Sequence, residues 1–221
     1  GLDSENLTNL EVVESAYEVA LDGFALPYGD TPVGNWRTAP YVVIQNVGTY
    51  LDMPRFMDSS HPVANEADAE AFVARIDAMP DALDGELERI QAARAMGVVP
   101  PDFLLDKAIG QMEQTIASAG KGELFADDLR AKLTAMGMPE SQANRGKILE
   151  TGPIAEALYR QLRELRAERA VATAEPGISA RPQGDAFYNW ALRSSTTTRL
   201  TPEEVHQQGL EELEELHARM D

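Results

Sequence analysis

Apolar residues recur at steps of three and four along most of this chain, and the stretches that keep that step predict helices. Within residues 5–22, Leu7, Leu10, Val13, Ala16, Tyr17, Ala20 and Leu21 fall on one face, the spacing of an amphipathic helix. The step returns between residues 65 and 170. Asn65 is placed to cap a helix, with Asp68 at the third helical position and Phe72 and Ile76 following. Pro80 breaks or restarts that run, which continues through Leu83, Leu87 and Ile90 to Gly97. Leu104, Ala108, Met112 and Ile116 mark the next helix, ending near Gly120, and Leu124, Leu129 and Leu133 another, ending at Gly137. Pro139 opens a long segment reaching about Ala172, which Gly152 and Pro153 should kink or split. Its second half sets Leu158, Leu162 and Leu165 as a core stripe against Arg160, Glu164 and Arg166 as a solvated charged face.

Two regions depart from the pattern. Residues 23–64 are punctuated by glycine and proline, which is loop chemistry. Within them Tyr41, Val42, Val43, Ile44 and Gln45 form a β-rich run, the one convincing strand candidate. Trp36, Tyr41, Tyr50 and Phe56 concentrate here. They read either as anchors for a long connection or as part of a ligand-facing loop. Residues 174–184 form a second loop, followed by a short aromatic helix over 185–193 with Phe187, Tyr188 and Trp190. Thr201, Pro202 and Glu204 then make a capping box with proline at the first helical position. His206, Leu210, Leu213, His217 and Met220 draw a stripe along the last helix. That pattern runs to Asp221 without a stop signal, which reads as a cut through a helix. The expected fold is all-α, an antiparallel multi-helix domain with one long loop containing a short β excursion, in a single domain over residues 1–221.

Charge narrows the partners. Lys plus Arg number 19 and Asp plus Glu 37, for a net charge of -18. Such a surface repels nucleic acid and anionic membranes, because phosphate binding requires cationic side chains. There is no cysteine, so disulfides, thiolate metal sites and cysteine nucleophiles are excluded. No run approaches the ~18 apolar residues of a membrane span. The polar, acidic start does not resemble a signal peptide.

Familiar catalytic motifs do not emerge from the residues themselves. The histidines are His61, His206 and His217. His206 and His217 share a helix, but their eleven-residue separation (217 minus 206) puts them roughly 16 Å apart along it, too far for one metal ion. Asp81, Asp84 and Gly85 lack the alternating ligands of a calcium loop. Gly120 and Lys121 lack the remainder of a phosphate-binding loop. Acidic pairs such as Glu211 with Glu212 and Asp127 with Asp128 read as solvated faces, so no general acid and base can be picked out.

A more specific combination closes the chain. Tyr188, Leu192 and Arg193 lead through Thr196, Thr197 and Thr198 to Leu200, Thr201, Pro202, Glu203, Glu204, Val205 and His206, and then to Gly209 and Leu210. This resembles a signature of the bacterial "domain of unknown function 885" family, a set of zincin-like zinc metallopeptidases. In that family an aromatic short helix passes through a threonine triplet into a TPEE-H helix. Residues 16–21, 97–101 and the helix after Pro153 are compatible with earlier parts of the family pattern. The resemblance implies a longer, mostly helical protein whose zinc motif lies downstream of residue 221. It also implies peptide cleavage by metal-activated water in the full-length protein. The zinc ligands and the glutamate base then have no positions in this chain, which holds no catalytic or metal site and is expected to be inactive alone.

The function expected from this resemblance is the non-catalytic scaffold and substrate-cleft portion of a zinc-dependent metallopeptidase, with peptide as the substrate of the full-length protein. Gln45, Asn46 and Tyr188 are the candidate substrate contacts. The alternative is a stand-alone helical interaction or binding module without enzymatic activity. Exposure of the stripe around Leu213 and Leu216 further predicts self-association.

Overall fold

The computed structural model describes residues 3–26, 28 and 40–220; Trp36 and most of the loop before Pro40 lie outside that set. The chain divides into two compact units, residues 41–176 and residues 1–40 with 177–221.

The unit of residues 41–176 is a helical body. Its helices are α2 (Thr49–Ser59), α3 (Glu66–Asp77), α4 (Met79–Ala95), α5 (Asp102–Lys121), α6 (Ala126–Ala135), α7 (Ser141–Leu149) and α8 (Ala155–Arg169). α8 packs along both α4 and α5, while α7 packs on α3 and α6. Leu158, Leu162 and Leu165 are buried, as their spacing predicts; each contributes about 1.5–3 kcal/mol by leaving water. Asn65 caps α3 by accepting the Asp68 N–H at 3.0 Å, and Asp68 accepts the Ala64 N–H in return. Pro80 falls in the first turn of α4, where its missing N–H costs nothing. Gly122, at φ 80, closes α5 two residues beyond the expected stop at Gly120. The expected break falls at Glu150–Ile154, a wide turn in which Gly152 leaves helical geometry ahead of Pro153.

The β excursion is smaller than its composition suggests. Residues 41–43 are bends, and Ile44 and Val47 form one isolated antiparallel bridge. Tyr41, Val42, Val43 and Ile44 are nevertheless buried. Among the described residues no neighbouring strand pairs with them, so the β-branched run serves packing instead of a sheet.

The other unit contains α1 (Ser4–Phe24), α9 (Gly184–Thr196) and α10 (Pro202–Met220). α9 packs on α1. Trp190 lies on Gly23, where a Cβ would come within 2.5 Å of the indole, and its Nε1 donates to Val19 O at 2.6 Å. Phe187 fills in beside Trp190 and Tyr28, whose hydroxyl donates to Pro182 O. Thr201 and Glu204 form the expected reciprocal capping box of α10, at 2.8 and 3.2 Å.

One expectation for α1 is overturned. The stripe of Leu7, Leu10, Val13, Tyr17 and Leu21 is exposed, and of the residues assigned to that face only Ala20 is buried. The face that meets α9 is the small-residue side around Ala20 and Gly23, because only a flat surface admits the Trp190 ring so closely. α10 buries no residue at all.

Candidate functional site

Residues 44–47 form a tight turn whose tip is Gln45 and Asn46. The Ile44 N–H donates to Val47 O at 3.0 Å and the Val47 N–H to Ile44 O at 3.2 Å, leaving the two amide residues between them. Asn46 is exposed and Gln45 half-buried. The turn is anchored from beneath. Tyr50 is buried on α2, and its hydroxyl lies 3.0 Å from Ile44 O and 2.8 Å from Gln111 Oε1. Burial pushes the phenol up to about 12, with Arg55 opposing and the charges of Asp52 and Glu86 assisting. Tyr50 therefore stays neutral and serves as a hydrogen-bond donor. Gly48 makes this approach possible: its φ of 136 suits glycine, and a Cβ there would meet the Tyr50 ring at 3.0 Å and Val43 at 3.2 Å.

The same end of α2 feeds a buried polar web. Glu86 on α4 accepts the Thr49 N–H and Oγ1–H, each at 2.8 Å, which caps the first turn of α2. Its other oxygen accepts from Gln161 Nε2 at 2.9 Å. Gln161 also donates to Leu83 O, and its own Oε1 is buried without a hydrogen-bond partner. The tip at Gln45 and Asn46 is thus fixed through Tyr50 and Thr49 to side chains of α4, α5 and α8. Such support lets a loop residue present a side chain with little freedom.

A second acidic feature lies on α8. Glu168 is 2% exposed and lines a small cavity of about 10 Å³ with Tyr41, Val43, Ile90 and Pro100 among its walls. Glu164, one turn earlier, holds Arg94 at 2.5 Å and Gln91 at 3.4 Å. Burial pushes the Glu168 carboxyl up to about 8, with the Glu164 charge adding to the shift and Arg94 opposing it. Glu168 accordingly keeps its proton at neutral pH. The charged-face expectation fails at Glu164, which is buried against Arg94 instead of solvated. The cavity has room for about one water molecule, so it does not admit a peptide.

Glu150 is a third buried carboxylate and serves structure. It accepts the N–H groups of Leu124 at 3.0 Å, Phe125 at 2.7 Å and Ala126, and so closes the N-terminus of α6. Burial raises its carboxyl above the usual range, and the three N–H groups pull the other way.

The remaining site candidates fall elsewhere. Tyr188 is 50% exposed on α9, so it does not pack in the core as Phe187 and Trp190 do. It belongs to the unit of α1, α9 and α10, whereas Gln45 and Asn46 belong to residues 41–176. His61 is buried edge-on against Phe72, with Nε2 at 3.2 Å from Asp68 O and Nδ1 at 3.4 Å from an Arg75 nitrogen. His206 and His217 are exposed along α10. Among the described residues, no three His, Asp or Glu side chains come together to hold a metal ion. The described residues therefore do not fit a zinc centre. Among the described residues no helix is long and apolar enough to cross a membrane.

Comparison with known proteins adds a family and a fold. Residues 1–221 match the family described as "Bacterial protein of unknown function (DUF885)". The structure is similar to the crystal structure of "the putative lipoprotein from Colwellia psychrerythraea", with a TM-score of 0.74 at 22% identity. That match covers 82% of this chain and 32% of the Colwellia chain, so this chain spans about a third of the solved relative. At this identity the likeness establishes the shared helical fold. No curated protein matches the chain significantly.

Proposed function

This chain belongs to the bacterial DUF885 family, and from that premise we propose that it is the non-catalytic, helical, substrate-cleft portion of a larger zinc-dependent peptidase. The observation that carries the reading is α10. It holds the TPEE-H segment in a capped helix, and its apolar stripe, with Leu213 51% and Met220 82% exposed, is left uncovered by the described residues. A helix of that kind is built to be covered by further structure. The metal centre is assigned to residues outside these 221, since among the described residues no three His, Asp or Glu side chains come together.

Within this chain Gln45, Asn46 and Tyr188 are each proposed as contacts of the peptide substrate. An anchored amide pair at a turn tip suits a peptide backbone, because each amide offers both a donor and an acceptor. The half-exposed Tyr188 ring offers a flat apolar face and a hydroxyl. The test uses the whole gene product, assayed for peptide hydrolysis with Gln45→Ala, Asn46→Ala or Tyr188→Ala. Each variant should lower kcat/KM by about tenfold, the value of roughly one lost hydrogen bond or stacking contact. Their melting temperatures should stay within a degree or two of the parent. Unchanged kinetics in all three variants would remove these residues from the cleft.

A further inference from the structure

Two helices of one unit carry exposed apolar residues that the described fold leaves open, and both carry far more acid than base. On α10, Leu210, Leu213, Leu216 and Met220 are all exposed. At 3.6 residues per turn they fall within an arc of about 120°. The helix carries six glutamates against one arginine, and all six project from the remaining circumference. α1 shares the acidic bias but not the clean stripe: Leu7, Leu10, Tyr17 and Leu21 are exposed, the helix carries Glu5, Glu11, Glu14, Glu18 and Asp22 with no lysine or arginine, and Glu14 falls within the apolar arc at 3.6 residues per turn. Among the described residues, Asp22 alone of these is paired, with Arg193 of α9 at 2.7 Å.

This pattern selects its partner. Burying four large side chains on α10 requires an apolar stripe in return. The rim then sets the sign of charge. A second copy of this chain would bring glutamates against glutamates, and like charges across an interface suppress wrong pairings. An anionic lipid surface fails for the same reason. A helix with its own apolar stripe flanked by lysine and arginine satisfies both requirements.

We propose that the α10 stripe is the seat of a cationic amphipathic helix supplied by the same polypeptide outside residues 1–221. The commitment to an intramolecular source rests on the reading of this chain as part of a larger protein. It is supported by the solved relative, of which the match covers 32%. The occupant packs lengthwise over Leu210, Leu213 and Met220 and sets its basic residues beside Glu214 and Glu203, which border the stripe.

The experiment places a photo-reactive benzoylphenylalanine at Leu213 in the whole gene product. Because α10 buries no residue within residues 1–221, the substitution leaves the fold of this part intact. Irradiation should give an intramolecular cross-link, mapped by mass spectrometry to a segment outside residues 1–221 in which leucines alternate with Lys or Arg at helical spacing. Moving the probe to Glu211, on the opposite side of α10, should lower the yield at least tenfold. A cross-link to a second copy, a cross-link to another protein, or equal yields from the two positions would each overturn the proposal. The outcome does not depend on peptidase activity. A protein that cross-links as expected but cleaves no peptide refutes the functional reading and leaves the docking intact.

Discussion

Glu168 offers the sharpest energetic test of the fold. Its carboxyl is pushed up to about 8 from an ordinary 4.5. The unfolded chain releases this proton near pH 4.5, while the folded chain holds it until about pH 8. Between those values folding takes up a proton, so stability is fully present below pH 4.5 and is lost as pH rises toward 8. At about 1.4 kcal/mol per unit of pKa, the full loss has an upper bound of about 5 kcal/mol, of which about 3 kcal/mol is spent by pH 7. Glu164 and Arg94 face the same site, and water entering the cavity on ionisation would soften the effect. Glu168→Gln keeps the shape of the protonated side chain and cannot ionise. Urea denaturation of the parent and of Glu168→Gln at pH 5, 7 and 9 isolates the contribution, because every other titrating group is common to both. The two proteins should be close in stability at pH 5. At pH 9 the variant should be the more stable by a few kcal/mol. Parallel stability curves across that range would refute the account of Glu168 as a buried neutral acid.

Other outcomes follow from the same structure. Glu150→Ala should destabilise the protein by about 3 kcal/mol or more, because three N–H groups at the start of α6 lose their acceptor; a loss below 1 kcal/mol in denaturant titration would contradict that role. The isolated chain should self-associate more strongly at 0.5 M salt than at 20 mM, as screening relieves the acidic charge of α1 and α10; sedimentation showing the opposite trend would count against those stripes as the contact. The single-domain reading predicts one cooperative thermal transition despite the two compact units, and two resolved calorimetric peaks would separate them.

Local signals were the most legible part of the sequence. The caps at Asn65 and Thr201 each involve partners within three or four residues, so the sequence contains the whole motif. The split at Gly152 and Pro153 is legible for the same reason. The buried carboxylates were not. Glu86 meets Thr49 and Gln161, and Glu150 meets Leu124 to Ala126, across 24 to 75 positions. In a chain with 37 acidic residues, a helical glutamate reads first as solvated. A usable signal did exist on α8: Gln161, Glu164 and Glu168 recur at steps of three and four beside Leu158 and Leu165, on the side the leucines bury. The stripes of α1 and α10 mark the opposite limit. Periodicity draws an apolar face correctly, but what covers it depends on partners that periodicity does not name. The residues 41–45 show the same limit for strands, since β-rich composition records a fit to a packed surface and pairing requires a neighbour.

The central claim is that this family member is the cleft-bearing part of a larger zinc-dependent peptidase. The most direct measurement is peptide hydrolysis by the purified whole gene product, with its zinc content, before and after treatment with a chelator. The account predicts about one zinc per polypeptide at the active centre, hydrolysis that disappears on chelation, and recovery when zinc is restored. A whole protein that holds no zinc and cleaves no peptide would contradict it.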